Sequence, residues 1–299
     1  MKKIAEQDLA TVQNLLDCVL GKSNFTHITR MGGLTNRTYK IDFSDGQSYI
    51  VRIPGDGTEV LINRRDEKIS TMLACKLGID AQLLHFGHLG EKITCYIHGA
   101  KTLSSDTISE SDNLVKAAKI LHKLHSCGED TNVPFNVFDM AASYEKIIEA
   151  NAVPMYEDYT VIKKRIMEIK QVVDRNHDVE LVPCHNDPLC ENWVLSEDGR
   201  LYLIDWEYAG MNDGMWDLAD VSIEASLTQE QELLLLEAYF DREPTKEELY
   251  RFHANKLYLD YLWSLWGKTR VPFDGEPMET YAMERYDRLK KNLDQFAEV

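Results

Sequence analysis

Apolar positions recur along this chain with two different periods, and the change from one to the other divides it. Ile4, Leu9, Val12, Leu15, Leu16, Val19 and Leu20 fall on a helical face, which Gly21 closes. Between Ile28 and Phe43 come a short strand, the turn Gly32-Gly33 and the alternation Tyr39, Ile41, Phe43. Asp45-Gly46 then predicts a hairpin into Tyr49-Ile50-Val51-Arg52-Ile53, a strand stopped by Pro54-Gly55. Residues 60–77 have helical spacing with Glu67 inside and Gly78 after, and Leu83 to Gly87 and Glu91 to Ile97 predict two more strands. Past His98-Gly99 the period lengthens to about 3.6, and helices are expected over 110–125, 140–151, 157–174, 214–225, 228–240, 245–266 and 278–295. Residues 267–277, with Pro272, Gly275 and Pro277, predict an irregular surface crossing. The expected organisation is α+β, with an antiparallel β lobe over residues 1–97 and a mostly helical lobe over 98–299.

The helical half is interrupted at Cys184–Trp206. A buried-looking strand there delivers His185, Asp187 and Asn192, and a second, Leu201 to Ile204, delivers Asp205. Ser196-Glu197-Asp198-Gly199 between them predicts a turn, so the strands starting near Trp193 and ending near Ile204 run antiparallel and set Asn192 beside Asp205. Two carboxylates and an amide converging in this way can present a hard divalent cation and a base that orients a nucleophile.

Charge and composition remove some classes. With 50 acidic residues against 33 basic ones the formal charge is -17, which speaks against a nucleic-acid or anionic-membrane binder, because phosphates demand a basic surface. No apolar run approaches the roughly 20 residues of a membrane span. The start, Met1-Lys2-Lys3-Ile4-Ala5-Glu6, leads into acidic residues instead of a signal-peptide core, so a cytoplasmic location is expected. Cysteines at 18, 75, 95, 127, 184 and 190 form no Cys-x-x-Cys pair and read as reduced and mostly buried.

Several residues invite both a chemical and a plain structural reading. Gly32-Gly33 after a strand, with Thr35 and Asn36, can cradle phosphate through backbone N–H groups, although glycine pairs also simply mark turns. Arg52 in an apolar strand asks for an anionic partner, and Glu67 on the next helix is the natural one; the pair can equally be a structural salt bridge. Asp187, Asn192 and Asp205 suit phosphoryl transfer, a metal-dependent hydrolase or a purely structural polar network. His185 fits best as a hydrogen-bonding residue that holds the loop. Trp263 and Trp266 share a helical face, as core residues or as walls of an aromatic cage, while His122 and His125 read as a helix end with one histidine packed inward. The charged runs Arg64-Arg65-Asp66-Glu67-Lys68 and Glu230-Gln231-Glu232 read as solvated faces apart from Glu67.

The run Cys184-His185-Asn186-Asp187-Pro188-Leu189-Cys190-Glu191-Asn192 resembles the catalytic loop of the aminoglycoside-phosphotransferase and choline/ethanolamine-kinase superfamily. Leu203-Ile204-Asp205-Trp206-Glu207-Tyr208-Ala209-Gly210 resembles its metal-binding segment, and Asn212-Asp213, Trp216-Asp217-Leu218-Ala219 and Tyr261 to Trp266 extend the likeness, which is greatest to the choline kinases and spans roughly residues 28–270. The resemblance implies a protein-kinase-like two-lobed fold with a nucleotide cleft, binding ATP and Mg2+ and acting on a small cationic alcohol, choline being favoured. Ethanolamine, thiamine or an aminoglycoside is the alternative acceptor, and a non-catalytic kinase-like scaffold is a further rival.

Residue by residue, it implies that Asp187 accepts or orients the proton of the acceptor hydroxyl, with Asn192 and Asp205 holding magnesium. Gly32, Gly33, Thr35 and Asn36 would cover the phosphates, Arg52 would contact them with Glu67 as its helix partner, and Tyr96 and Ile97 would offer adenine their backbone. Glu207, Trp263 and Trp266, with neighbouring Trp206 and Tyr208 and with Glu224, would line the acceptor pocket. Asp217 would support the catalytic loop from behind.

Overall fold

The computed structural model describes residues 4–32, 36–55, 62–176 and 178–296, in two compact units: residues 1–104 with 190–209, and residues 105–189 with 210–299. In the first, α1 (Glu6–Leu20) precedes the hairpin strands β1 (His27–Arg30), β2 (Arg37–Asp42) and β3 (Ser48–Ile53); then come α2 (Arg64–Lys76), β4 (Leu83–Phe86) and β5 (Lys92–Cys95). The strands form an antiparallel sheet in the order β1-β2-β3-β5-β4. Gly46, at φ +82°, makes the β2–β3 turn that Asp45-Gly46 predicts.

Alternation sorts the two faces of this sheet. Tyr39, Ile41, Phe43, Tyr49, Val51, Ile53 and Ile93 point to one side and bury against Val12 and Leu16 of α1. Full burial stabilises each large aliphatic or aromatic side chain by about 1.5–3 kcal/mol, so this face anchors the unit. The other face carries Thr38, Ile50, Arg52, Lys92 and Thr94. Register places Thr38 opposite Arg52 and Arg52 opposite Lys92, one polar row across three strands.

The second part of this unit is a three-stranded sheet of β6 (Lys101–Thr102), β8 (Trp193–Leu195) and β9 (Leu201–Leu203). β8 and β9 are antiparallel, with Trp193 opposite Leu203, and the Ile204 N–H donates to the Asn192 carbonyl at 2.9 Å. Between the two strands the chain turns at Gly199, at φ +81°, as the sequence predicts.

The larger unit is helical. It contains α3 (Ser105–Ile108), α4 (Ser111–His125), α5 (Val137–Ala150), α6 (Tyr159–Asn176), α7 (Met215–Glu224), α8 (Gln229–Phe240), α9 (Lys246–Asp274) and α10 (Glu276–Phe296). Thr228 with Gln231 and Thr245 with Glu248 form capping boxes that fix the starts of α8 and α9. The small antiparallel β unit and larger helical unit bear out the α+β, protein-kinase-like architecture.

Three expectations need correction. Residues 267–274 are helical, the continuation of α9, and not an irregular crossing. Gly267 is where α10 comes close: a Cβ there would sit 2.9 Å from Tyr281 and 3.0 Å from Ala282. Pro272 lies in the last turn, and the helix ends only at Gly275, φ +70°, whose N–H caps Val271. The second correction is that the strand leading into His185, β7 (Leu181–Cys184), pairs with β10 (Gly210–Asp213), in a stretch where no strand was expected. Third, the cysteines are all free but only Cys184 and Cys190 are buried, and Cys18 is exposed. Among the described residues no helix is long and apolar enough to cross a membrane.

Candidate active site

In the β unit a cavity of about 340 Å3 opens over the polar face of the sheet. Its lining includes Gly32, Asn36, Arg52, Asp80, Lys92, Tyr96, Ile97, Asn192 and Asp205. Gly33 and Thr35 lie outside the described residues. Arg52 is 4% exposed and Glu67 1%, and their ion pair closes at 2.5 Å. Arg52 also donates to the Gly90 carbonyl (2.9 Å) and reaches Asp205 (3.4 Å) and Glu207 (3.6 Å). Burial alone would make Arg52 easier to deprotonate, but the charges of Glu67, Asp205 and Glu207 outweigh it and hold its pKa above the ordinary value.

The carboxylates around it respond in opposite directions. Desolvation and the neighbouring Glu207 charge push Asp205 up, against the pull of Arg52 and Lys92. Glu207 is also desolvated, yet Arg52 and hydrogen bonds from Arg64 and Asn36 hold it below the carboxylate norm. The Asn36 Nδ2 donates to Glu207 at 3.0 Å. Glu207, expected at the acceptor, is therefore placed among the arginines of the β unit. Asn192 and Asp205 offer hard oxygen donors, and a carboxyl driven toward protonation is one that a divalent cation would return to its anion. The donor set therefore fits magnesium; carboxylate oxygens of Glu67, Asp205 and Glu207 also lie within 4.8 Å of one another.

At the other end of the cavity, the Tyr96 N–H is committed to the Ser48 carbonyl (3.1 Å) and the Ile97 carbonyl accepts from Ala100 (3.1 Å). The Tyr96 carbonyl and Ile97 N–H, adjacent acceptor and donor, have no backbone partner among the described residues. Trp206 is buried in the interior of the same unit, and Tyr208 is half-buried.

In the helical unit the loop after β7 is held through its backbone. The two Asp217 carboxylate oxygens accept the N–H groups of His185 and Asn186, each at 2.8 Å. His125 donates Nε2–H to the same carboxylate (3.0 Å), and Tyr239 approaches its Nδ1 (2.8 Å). Asn186 has φ +64°, a conformation asparagine tolerates, and is fixed from three sides: Trp216 Nε1 donates to its carbonyl (3.0 Å), Asn212 to its Oδ1 (2.9 Å), and its own amide reaches the Gly210 carbonyl (3.4 Å). His185 is buried, and its Nδ1 accepts the Asp187 N–H at 3.3 Å. Asp187 itself is half-buried.

The remaining expected acceptor residues also belong to this unit. Trp263 and Trp266 meet edge to face at 6.2 Å, and Trp266 meets Tyr281 in the same way at 5.8 Å. Tyr286 instead stacks on Tyr156, so the two tyrosines of α10 serve different surroundings. Glu224 is ion-paired with Arg285, whose guanidinium lies over Tyr281 at 4.8 Å.

Sequence reasoning missed Arg64, which it placed on a solvated face. Its side chain is 9% exposed and joins Glu67 (2.7 Å) to Glu207; the i,i+3 spacing from Glu67 was the available signal. Glu232, also read as solvated, accepts from Ser222 at 2.6 Å inside the fold. Asp80, Lys92 and Asp220, buried charged residues, were not singled out either.

Residues 27–276 match the family model described as choline/ethanolamine kinase. Over 272 residues the chain is 31% identical to the protein LicA of Haemophilus influenzae, covering 89% of this chain and 79% of that protein. The crystal structure of the choline kinase LicA from Streptococcus pneumoniae superposes with a TM-score of 0.85 at 32% identity, covering 97% of this chain and all of that one. A choline/ethanolamine kinase family protein from Mesorhizobium loti gives the same TM-score at 30% identity, covering 98% and 96% of the two chains. A match over most of the chain's length, to sequence and structure alike, shows that this protein belongs to the choline/ethanolamine kinase family.

Proposed function

We propose that the protein transfers the terminal phosphoryl group of ATP to the hydroxyl of choline, giving phosphocholine and ADP. The observation that carries the nucleotide half is the β-unit cavity, lined by Arg52, itself paired with Glu67, by Asn192 and Asp205, and by Tyr96 and Ile97. Adenine would use the Tyr96 carbonyl and Ile97 N–H, and the phosphates would lie towards Arg52. Asn192 and Asp205 would hold magnesium, which when bound neutralises phosphate charge. Asp187 takes the proton of the acceptor hydroxyl as that oxygen bonds to the γ-phosphorus. The bond from phosphorus to the bridging oxygen breaks, and ADP carries its electron pair away.

Choline is favoured over ethanolamine by the aromatic group Trp263, Trp266 and Tyr281. A quaternary ammonium donates no hydrogen bond and is held by ring faces and nearby negative charge, whereas a primary ammonium needs acceptors. The test is ADP release with ATP and Mg2+ across choline, ethanolamine, thiamine and aminoglycosides. Choline should give the highest kcat/KM, and omission of divalent ions should abolish the rate. Preference for ethanolamine would overturn the choline assignment alone; no ADP release with any acceptor would overturn the kinase reading.

A further inference from the structure

The cross-strand row Thr38–Arg52–Lys92 places a second cation on the polar face of the sheet, directly opposite Arg52. Residues paired across antiparallel strands project to the same side, and both line the same cavity. Their circumstances differ. The Arg52 guanidinium is surrounded by Glu67, Asp205, Glu207 and the Gly90 carbonyl, and Arg64 is divided between Glu67 and Glu207. Lys92 is only 8% exposed, yet among the described residues its ammonium has no hydrogen-bond acceptor and no carboxylate within 4.0 Å. Asp80 and Asp205 feel its charge from farther off. A cation on a residue this buried, lining a cavity and without a contact partner among the described residues, is well placed to meet an anionic ligand there.

We propose that Lys92 is a second phosphate-binding cation of the nucleotide site, contacting the α- or β-phosphate while Arg52 is held by its carboxylates. The inference rests on the nucleotide reading above and adds a residue to it. Glu67, Asp205 and Glu207 already absorb much of the charge of Arg52, so the cavity needs an uncommitted cation to attract a polyphosphate. Lys92 supplies it from the polar face of the sheet, beside Arg52.

The experiment compares ADP with adenosine, which has the same base and sugar and no phosphate, by calorimetry at fixed Mg2+. Lys92→Met should weaken ADP binding about ten- to a hundredfold, the scale of one hydrogen bond to a charged group, and leave adenosine within about twofold. Lys92→Arg should recover most of the ADP affinity. Equal weakening of both ligands, or no change for ADP, would overturn the proposal and make Lys92 a structural counter-charge to Asp80. Should the methionine variant not fold, reductive methylation of the unmodified protein followed by mass spectrometry decides the point: ADP should shield Lys92 and adenosine should not, and equal reactivity with both would overturn it. Unmodified protein that binds ADP through Lys92 but phosphorylates no acceptor would count against the kinase reading alone.

Discussion

Around Arg52 the β unit buries charges against one another, whereas around Asn186 the helical unit buries a strained loop and ties it down with hydrogen bonds. The first arrangement links three carboxylates to two arginines on neighbouring elements. Except for Asp205, whose side chain is 37% exposed, the ions there have lost most of their water and depend on their neighbours' charges, so a removal leaves an unbalanced group. In the second, Asp217 holds two backbone N–H groups and one imidazole, and Asn186 spends its polar groups on Trp216, Asn212 and Gly210. Apart from the backbone N–H that Asp217 accepts, the Asn186 bonds involve no ionised group. The β-unit cluster should therefore be sensitive to pH and to charge substitution, and the loop to shape.

The sharpest way to separate them is Asp187→Ala. If the hydrogen-bonded loop exists to aim this carboxylate, transfer should fall about 10²–10⁴-fold, the usual worth of a general base, while ADP affinity stays within about twofold. A parallel loss of ADP affinity would show that the two regions do not divide the work in this way. Glu67→Ala attacks the other side. It removes the contact of Arg52 that closes at 2.5 Å and should cost about 3–5 kcal/mol in urea unfolding. A cost below about 1 kcal/mol would mean that Asp205 and Glu207 suffice to hold Arg52.

Next in size is Asp217→Asn, which keeps one acceptor for the loop and turns an N–H2 towards the other backbone N–H. Stability should drop by about 1–3 kcal/mol, and kcat should fall with the KM for ATP unchanged. If stability falls and kcat does not, the bracing supports the fold without positioning Asp187.

The two regions were unequally legible in the sequence. Alternation at Tyr39, Ile41 and Phe43 and the Asp45-Gly46 turn announce the sheet, because strand period and turn chemistry are local. Arg52 stands out because it interrupts an apolar strand. Lys92 does not, since Glu91-Lys92 reads as an ordinary polar strand end, and its position opposite Arg52 follows from β3 pairing with β5 across an intervening helix and strand. Arg64 was hidden among four charged neighbours, where only the fold decides which one turns inward. The loop motif is conspicuous as a string of residues, but its bracing comes from His125, Asn212 and Asp217 on other elements. The extension of α9 past Gly267 was missed because the glycine serves the crossing of α10 instead of a turn.

The last expected effect has the opposite sign and bears most directly on how well the β-unit charges balance. Asp80 is 5% exposed, and burial raises its carboxyl from 3.8 to about 6, although Lys92, the Ala81 N–H, Trp206 and Arg52 all pull it back. A carboxyl raised on folding favours the fold only while protonated. Its contribution is therefore complete below the unfolded value and is lost as pH rises through about 6. Asp80→Asn, neutral throughout, should then be more stable than the unmodified protein above that point, by at most about 3 kcal/mol. The advantage should widen between about pH 4 and about pH 6 and flatten beyond, as read by urea unfolding at several pH values. An asparagine variant less stable than the parent at pH 8 would reverse the inference. It would mean that Lys92 and Asp80 act as a working ion pair in solution, that the β-unit cluster is electrically closed without nucleotide, and that Lys92 is not waiting for a phosphate.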